Sequence, residues 1–192
     1  KQISFFNDSA FEIAPSCNEL MAYRDRLKLP SSKKEEIKTC WFKESGYVRL
    51  QNKEALALLD IARIGPDHMP GHAHADTLSF ELSLFSHRVL VNSGTSCYGV
   101  SEERLRQRGT ESHNTVTVLE ENSSEVWSGF RVARRAKPFD LKVDLQDEHY
   151  FVRASHDGYS RMREKPIHTR SWTMTDSKFL VQDQVIPSSS LS

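Results

Sequence analysis

From Gly71 to Leu84 the chain reads Gly-His-Ala-His-Ala-Asp-Thr-Leu-Ser-Phe-Glu-Leu-Ser-Leu. Alternate residues of an extended strand share a face. Taken as one strand, this stretch puts His72, His74 and Asp76 in line with Leu78, Phe80, Leu82 and Leu84. Two imidazoles and a carboxylate then begin a face that the second half buries, which is costly unless they are paired or bound to a metal. The pattern demands a sheet with a core on one side and marks a site at the strand's start.

The rest of the chain supports a β fold. Tyr47–Leu50 alternates, and Leu78–Phe85 returns through a turn at Ser86-His87 into Val89–Val91. Further strands are predicted at Asn114–Val118, Val126–Ala133, Leu141–Leu145 and Tyr150–Ala154, with a last pair at His168–Met174 and Lys178–Val185. Turns are expected at Glu120–Ser124, Asp147-Glu148 and Asp176-Ser177. Short strands at this spacing predict an all-β antiparallel sandwich, or a barrel. Glu54–Asp60 is ambiguous: its composition favours helix, its position between strands favours a buried strand.

Residues 1–40 read as a leading segment before a sandwich over 41–192. Ser16-Cys-Asn-Glu19 has capping-box spacing ahead of Leu20, Met21, Tyr23 and Leu27, predicting a short helix that ends before Pro30. Ser31–Lys38 is polar and charged, a surface connection. Arg104–Gly109 is expected as a loop or single helical turn carrying basic side chains over an edge. The chain opens on Lys1 and closes on Pro187-Ser-Ser-Ser-Leu-Ser192, so sequence is expected to be missing upstream, and truncation is expected downstream.

Charge narrows the partners. Lys plus Arg equals Asp plus Glu at 26 each, so no global field draws in nucleic acid or a membrane surface. No apolar run reaches membrane-spanning length and no signal peptide is visible. Three scattered cysteines, Cys17, Cys40 and Cys97, make neither a zinc ribbon nor a disulfide framework.

Histidine chemistry is the remaining signal. His-x-His on a strand sets two imidazoles roughly 6.5–7 Å apart at the backbone, so both can face one ion, or one can bind while the other does chemistry. Ser112-His-Asn-Thr115 brings His113 to a neighbouring strand, and Asn92 ends the returning strand. A metal held by His74, Asn92 and His113 lacks one negative charge, which Asp76 is expected to compensate, directly or by orienting an imidazole. Tyr98 is a candidate proton donor or stacking platform for a sugar, or a packing residue. His68, His87, His149, His156 and His168 read mostly as surface or structural residues, and Arg134-Arg135-Lys137 as a solvated edge.

From about Tyr47 to Val185 the chain resembles the C-terminal β-sandwich domain of the heparinase II/III-like polysaccharide lyases, a family that includes oligoalginate lyases. The residues that carry the resemblance are Gly71–Phe80, Leu90–Thr95 with Tyr98-Gly99, Ser112–Val116, His156-Asp-Gly-Tyr159, and His168-Thr-Arg170 with Trp172. The resemblance implies a catalytic His72 and a structural zinc-like ion on His74, position 92 and His113. Position 92 departs from it, being Asn where the family has Asp, which weakens the metal. It implies β-elimination on an acidic, uronate-containing polysaccharide such as heparan sulfate or alginate; Tyr98 and Arg108 (or Arg106) are the candidate contacts to such a sugar. It implies as well an upstream α/α-toroid domain bearing the main catalytic Tyr and Asn, without which the fragment is expected to be inactive, and a periplasmic or secreted location. The competing readings are a non-catalytic carbohydrate-binding sandwich and a cupin-like metalloenzyme. The latter ranks last, since six residues separate His74 from Glu81.

Overall fold

Two antiparallel sheets take up the alternating segments. The computed structural model describes residues 3–30, 39–146 and 149–188. After the helix α1 (Cys17–Arg26) come strands β1 (Cys40–Phe42), β2 (Tyr47–Gln51), β3 (Ala55–Asp60), β4 (Phe80–Leu84) and β5 (His87–Leu90). They lie side by side in that order as a meander. Next follow the helix α2 (Glu102–Arg108) and a small hairpin, β6 (Val126–Trp127) with β7 (Arg131–Val132). Strands β8 (Pro138–Gln146), β9 (His149–His156), β10 (Ile167–Met174) and β11 (Phe179–Ile186) form the second sheet, also in sequence order.

The core is where the inward faces meet. Val48, Leu50, Ala57, Leu59, Phe80 and Leu82 from the first sheet pack on Val152, Ala154, Trp172 and Met174 from the second. Glu54–Asp60 resolves as strand: β3 is a central strand between β2 and β4, and burial on alternate residues outweighs its helical composition. The capping box of α1 forms as expected, Ser16 accepting from the Glu19 amide and Glu19 accepting from the Ser16 amide.

Along β10 burial alternates strictly, so His168, Arg170, Trp172 and Met174 all point inward. One end of the core is therefore polar. His168 pairs across the ladder with His156, and Arg170 with Ala154. Arg170 forks onto Asp183 and extends Nη1 to the carbonyls of Leu78 (2.8 Å) and Asn114 (2.5 Å). It thus ties the second sheet to two loops of the site.

Three sequence expectations are corrected. Residues 72–79 are not strand; the ladder begins at Phe80. Leu78 takes a left-handed φ of 61°, and the Ser79 amide closes a turn onto the Asp76 carbonyl at 2.8 Å. Asn114–Val118 forms no strand either, because side chains replace its ladder. Asn114 Nδ2 donates to the Phe80 carbonyl, Thr115 Oγ1 to that of Thr77, and the Tyr159 hydroxyl to that of Val116. Val126–Ala133 is broken into the β6–β7 hairpin rather than running as one strand. The Ser31–Lys38 connection and the Asp147-Glu148 turn lie outside the described residues.

Candidate active site

Helix α2 builds the site from below. Ser101 caps it, its hydroxyl accepting from the Arg104 amide at 3.1 Å. Spacing of three and four residues places Arg104, Gln107 and Arg108 on one helix face, and that face is buried. The basic residues expected to hang over an edge point into the protein instead. Arg106 stays exposed, paired with Glu103.

Each buried guanidinium is spent on oxygens. Arg108 donates through Nε and Nη2 to the Ala73 carbonyl (both 3.1 Å), and through Nη1 and Nη2 to those of Ser128 and Arg131. Fully buried, it holds the histidine loop against the hairpin and does not meet a ligand, which corrects the substrate-binding role expected of it. Arg104 forks onto Asp8, with Nη2 to Oδ2 at 2.9 Å, and gives Nε to the Gly129 carbonyl.

Asp8 is the residue that sequence reasoning missed. Besides Arg104, its Oδ2 meets His72 Nδ1 at 2.7 Å and its Oδ1 meets His74 Nε2 at 2.8 Å. Burial by itself raises the Asp8 carboxyl, but hydrogen bonds from His74, Arg104 and His72 outweigh it and hold the group well below the usual carboxylate range. A firm carboxylate thus organises two imidazoles and a guanidinium. Its neighbours on the leading segment dock alongside: the Phe5 amide donates to Glu81 (2.8 Å), and Asn7 Oδ1 accepts from the His74 amide (3.2 Å).

His72 and His74 have opposite fates. His74 is fully buried, while the His72 side chain is 62% exposed. Asp8 takes the His72 Nδ1–H, so a ring carrying one proton turns its Nε2 lone pair outward, and that nitrogen has no partner among the described residues. The His74 Nε2–H is likewise given to Asp8. Asp76 does not take the orienting role expected of it: its Oδ2 accepts from the Asn7 amide at 3.4 Å, and burial pushes its carboxyl up to about 7.

His74 and His113 are brought together, Nδ1 to Nε2 at 3.1 Å. The other nitrogen of His113 faces the Gly109 carbonyl at 2.7 Å and must donate to it. With His74 Nε2–H given to Asp8, two lone pairs face each other across the gap. Burial holds His74 below its ordinary value, and burial with the neighbouring His74 brings His113 down to about 3, so neither ring readily supplies the missing proton. A cation between them satisfies both nitrogens, and outward hydrogen bonds to a carboxylate and a carbonyl are what metal-ligating histidines make. Asn92, the expected third ligand, is engaged elsewhere: Nδ2 donates to Ser79 Oγ and Oδ1 accepts from the Asn114 amide. Among the described residues no group of three or more His, Cys, Asp or Glu is placed to hold a metal ion.

The second buried histidine pair shows the contrast. His156 Nδ1 accepts from the Gly158 amide, which leaves Nε2–H to donate to His168 Nδ1 at 3.0 Å; His168 Nε2–H then donates to Asp183 at 2.7 Å. Every proton has an acceptor, so this pair is complete and structural. Burial, then the neighbouring His168 and the Arg170 charge, lower His156 to about 3. In the unfolded chain it protonates near its ordinary value of about 6.5. The unfolded state therefore binds more protons as pH falls from about 6.5 toward 3, and stability drops by about 1.4 kcal/mol per pH unit from this group. His156→Gln is expected to lose that slope while lowering the midpoint at neutral pH, as read from denaturant curves across the window.

The comparisons with known proteins agree with this fold. Residues 38–191 match the family described as Heparinase II/III-like, C-terminal, and the chain belongs to that family. Among solved structures, it is similar to the heparan sulfate lyase HepC from Pedobacter heparinus, with 19% identity and a TM-score of 0.70, covering 96% of this chain and 29% of that one. It is similar as well to a heparinase III, with 17% identity and a TM-score of 0.69, covering 96% of this chain and 30% of that one. The chain thus spans under a third of their length. No curated protein matches it.

Proposed function

We propose that this chain is the sandwich part of a polysaccharide lyase that cleaves uronate-containing glycans by β-elimination, with His72 taking the proton. In that reaction the C–H bond next to the uronate carboxylate breaks, its electron pair forms the C=C bond, and the β-glycosidic oxygen leaves and is protonated. The observation that carries the reading is the Asp8–His72 contact. It orients an exposed imidazole with its outward lone pair free, which suits proton removal better than a hydrogen bond donated to the carboxylate. Tyr98 fits the return of a proton: burial and the Asp8 carboxylate push its phenol above its ordinary value, so it stays a neutral donor.

A zinc-like ion belongs to the same reading, held by His74 and His113; the Asn92 oxygen, which accepts from the Asn114 amide, would have to turn from that contact to join them. When bound it supplies structural closure, locking the loops that carry His72 and His113. Neutral donors alone would hold it more weakly than a set containing a carboxylate.

The test uses the complete encoded polypeptide, purified without chelator and offered heparan sulfate and alginate. Ultraviolet absorbance of the new C=C bond is expected with one of them. About one equivalent of zinc is expected by elemental analysis, falling toward zero in His113→Ala. Binding without elimination would favour the non-catalytic carbohydrate-binding reading. Failure to retain or take up zinc would leave a shared proton as the bridge of the histidine pair.

A further inference from the structure

Above the buried Asp8–Arg104 pair lie two aromatic rings, of which the proposed proton transfers use only the Tyr98 hydroxyl. Tyr98 and Phe130 are 47% and 43% exposed. Their planes are 18° apart, with centroids separated by 5.8 Å. The His72 ring stands edge-on to both, at 6.1 Å from Tyr98 and 5.8 Å from Phe130. The Arg104 guanidinium lies 5.3 and 5.5 Å from the two centroids, so the rings roof a cation that has no exposure of its own.

The backbone fixes this arrangement. Gly99 sits at φ +96°, and a side chain at Gly129 would collide with the Gly99 carbonyl, so the Tyr98 turn and the Phe130 hairpin touch backbone to backbone. Arg104 and Arg108 hold the carbonyls of Gly129, Ser128 and Arg131 from beneath, and Gln107 pins the Tyr98 turn through Ser96. A site supported in this way loses little freedom when it binds.

The polar groups around the rings say what they meet. The open His72 nitrogen and the Tyr98 hydroxyl border an apolar surface. An apolar ligand would leave these groups without partners, whereas a pyranose ring offers a C–H face to the aromatics and hydroxyl or carboxylate oxygens at its rim. We infer that Phe130, with Tyr98, forms a stacking shelf for a uronate-bearing pyranose alongside His72, and that Phe130 is a recognition residue of this site. The identity of the sugar rests on the lyase reading; the shelf itself rests on the rings.

The experiment places Phe130→Leu and Phe130→Trp on a His72→Ala background of the complete polypeptide. Calorimetric titration follows, with a glucuronate-containing tetrasaccharide of the heparan type and a tetramer of the alginate type. Leucine keeps bulk but not the π face and is expected to weaken binding about ten-fold for whichever sugar binds, with tryptophan restoring it to within about three-fold. Equal affinity of the Phe and Leu forms, or no binding of either sugar, overturns the shelf. If Phe130-dependent binding occurs but the polypeptide with His72 intact eliminates neither polymer, the shelf stands and the lyase reading falls. If elimination proceeds with the same KM in Phe130→Leu, the lyase reading stands and the shelf falls.

Discussion

If His72 is the base proposed above, replacing it by alanine in the complete polypeptide is expected to lower kcat on the cleaved polymer by about 10²–10⁴-fold, the usual contribution of a positioned general base. KM should move little, because a proton acceptor works mainly in the transition state. The fold should survive as well, since the His72 side chain is mostly exposed and its one polar contact among the described residues is with Asp8. Thermal midpoints of the two forms should therefore lie close together while turnover collapses. Unchanged initial rates of double-bond formation would remove His72 from the chemistry.

Asp8→Asn acts on both stability and turnover. The carboxylate accepts from His72, His74 and both terminal nitrogens of Arg104, so all its acceptor positions are in use. An amide keeps the shape but turns N–H groups toward donors and leaves the buried Arg104 without its counter-charge. Removing one member of a buried charge pair costs about 3–5 kcal/mol. Urea unfolding should show the midpoint falling at nearly constant slope, and kcat should fall even at temperatures where the variant is folded, because His72 loses its orientation. A stability loss within the range of an ordinary surface substitution would contradict the central place given to Asp8.

What the sequence made legible, and what it hid, follows from how far apart the partners are. Alternation in Val48–Leu50, His168–Met174 and Phe80–Leu84 is a local signal and gave the strands and the inward faces. The Gly-His-Ala-His-Ala-Asp run marked the right place through the wrong geometry. Leu78 at positive φ bends it into a loop, and this separates an exposed His72 from a buried His74, where a strand would have put them side by side. Asp8 carries no pattern of its own and meets its partners across 64 to 96 residues of chain. The one available hint was an imbalance: two imidazoles and two inward arginines at helical spacing need an anion. Arg108 misled because a cation in a basic stretch reads as ligand-facing, whereas backbone carbonyls of the histidine loop and the β6–β7 hairpin claim it.

Long-range proton–nitrogen correlation spectra of the His72 ring, recorded where it is neutral, bear most directly on the site. The structure predicts a protonated Nδ1 given to Asp8 and an unprotonated Nε2 open to the cleft, with that preference lost in Asp8→Asn. A ring carrying its proton on Nε2 would leave no outward acceptor and would contradict the assignment of His72 as the base.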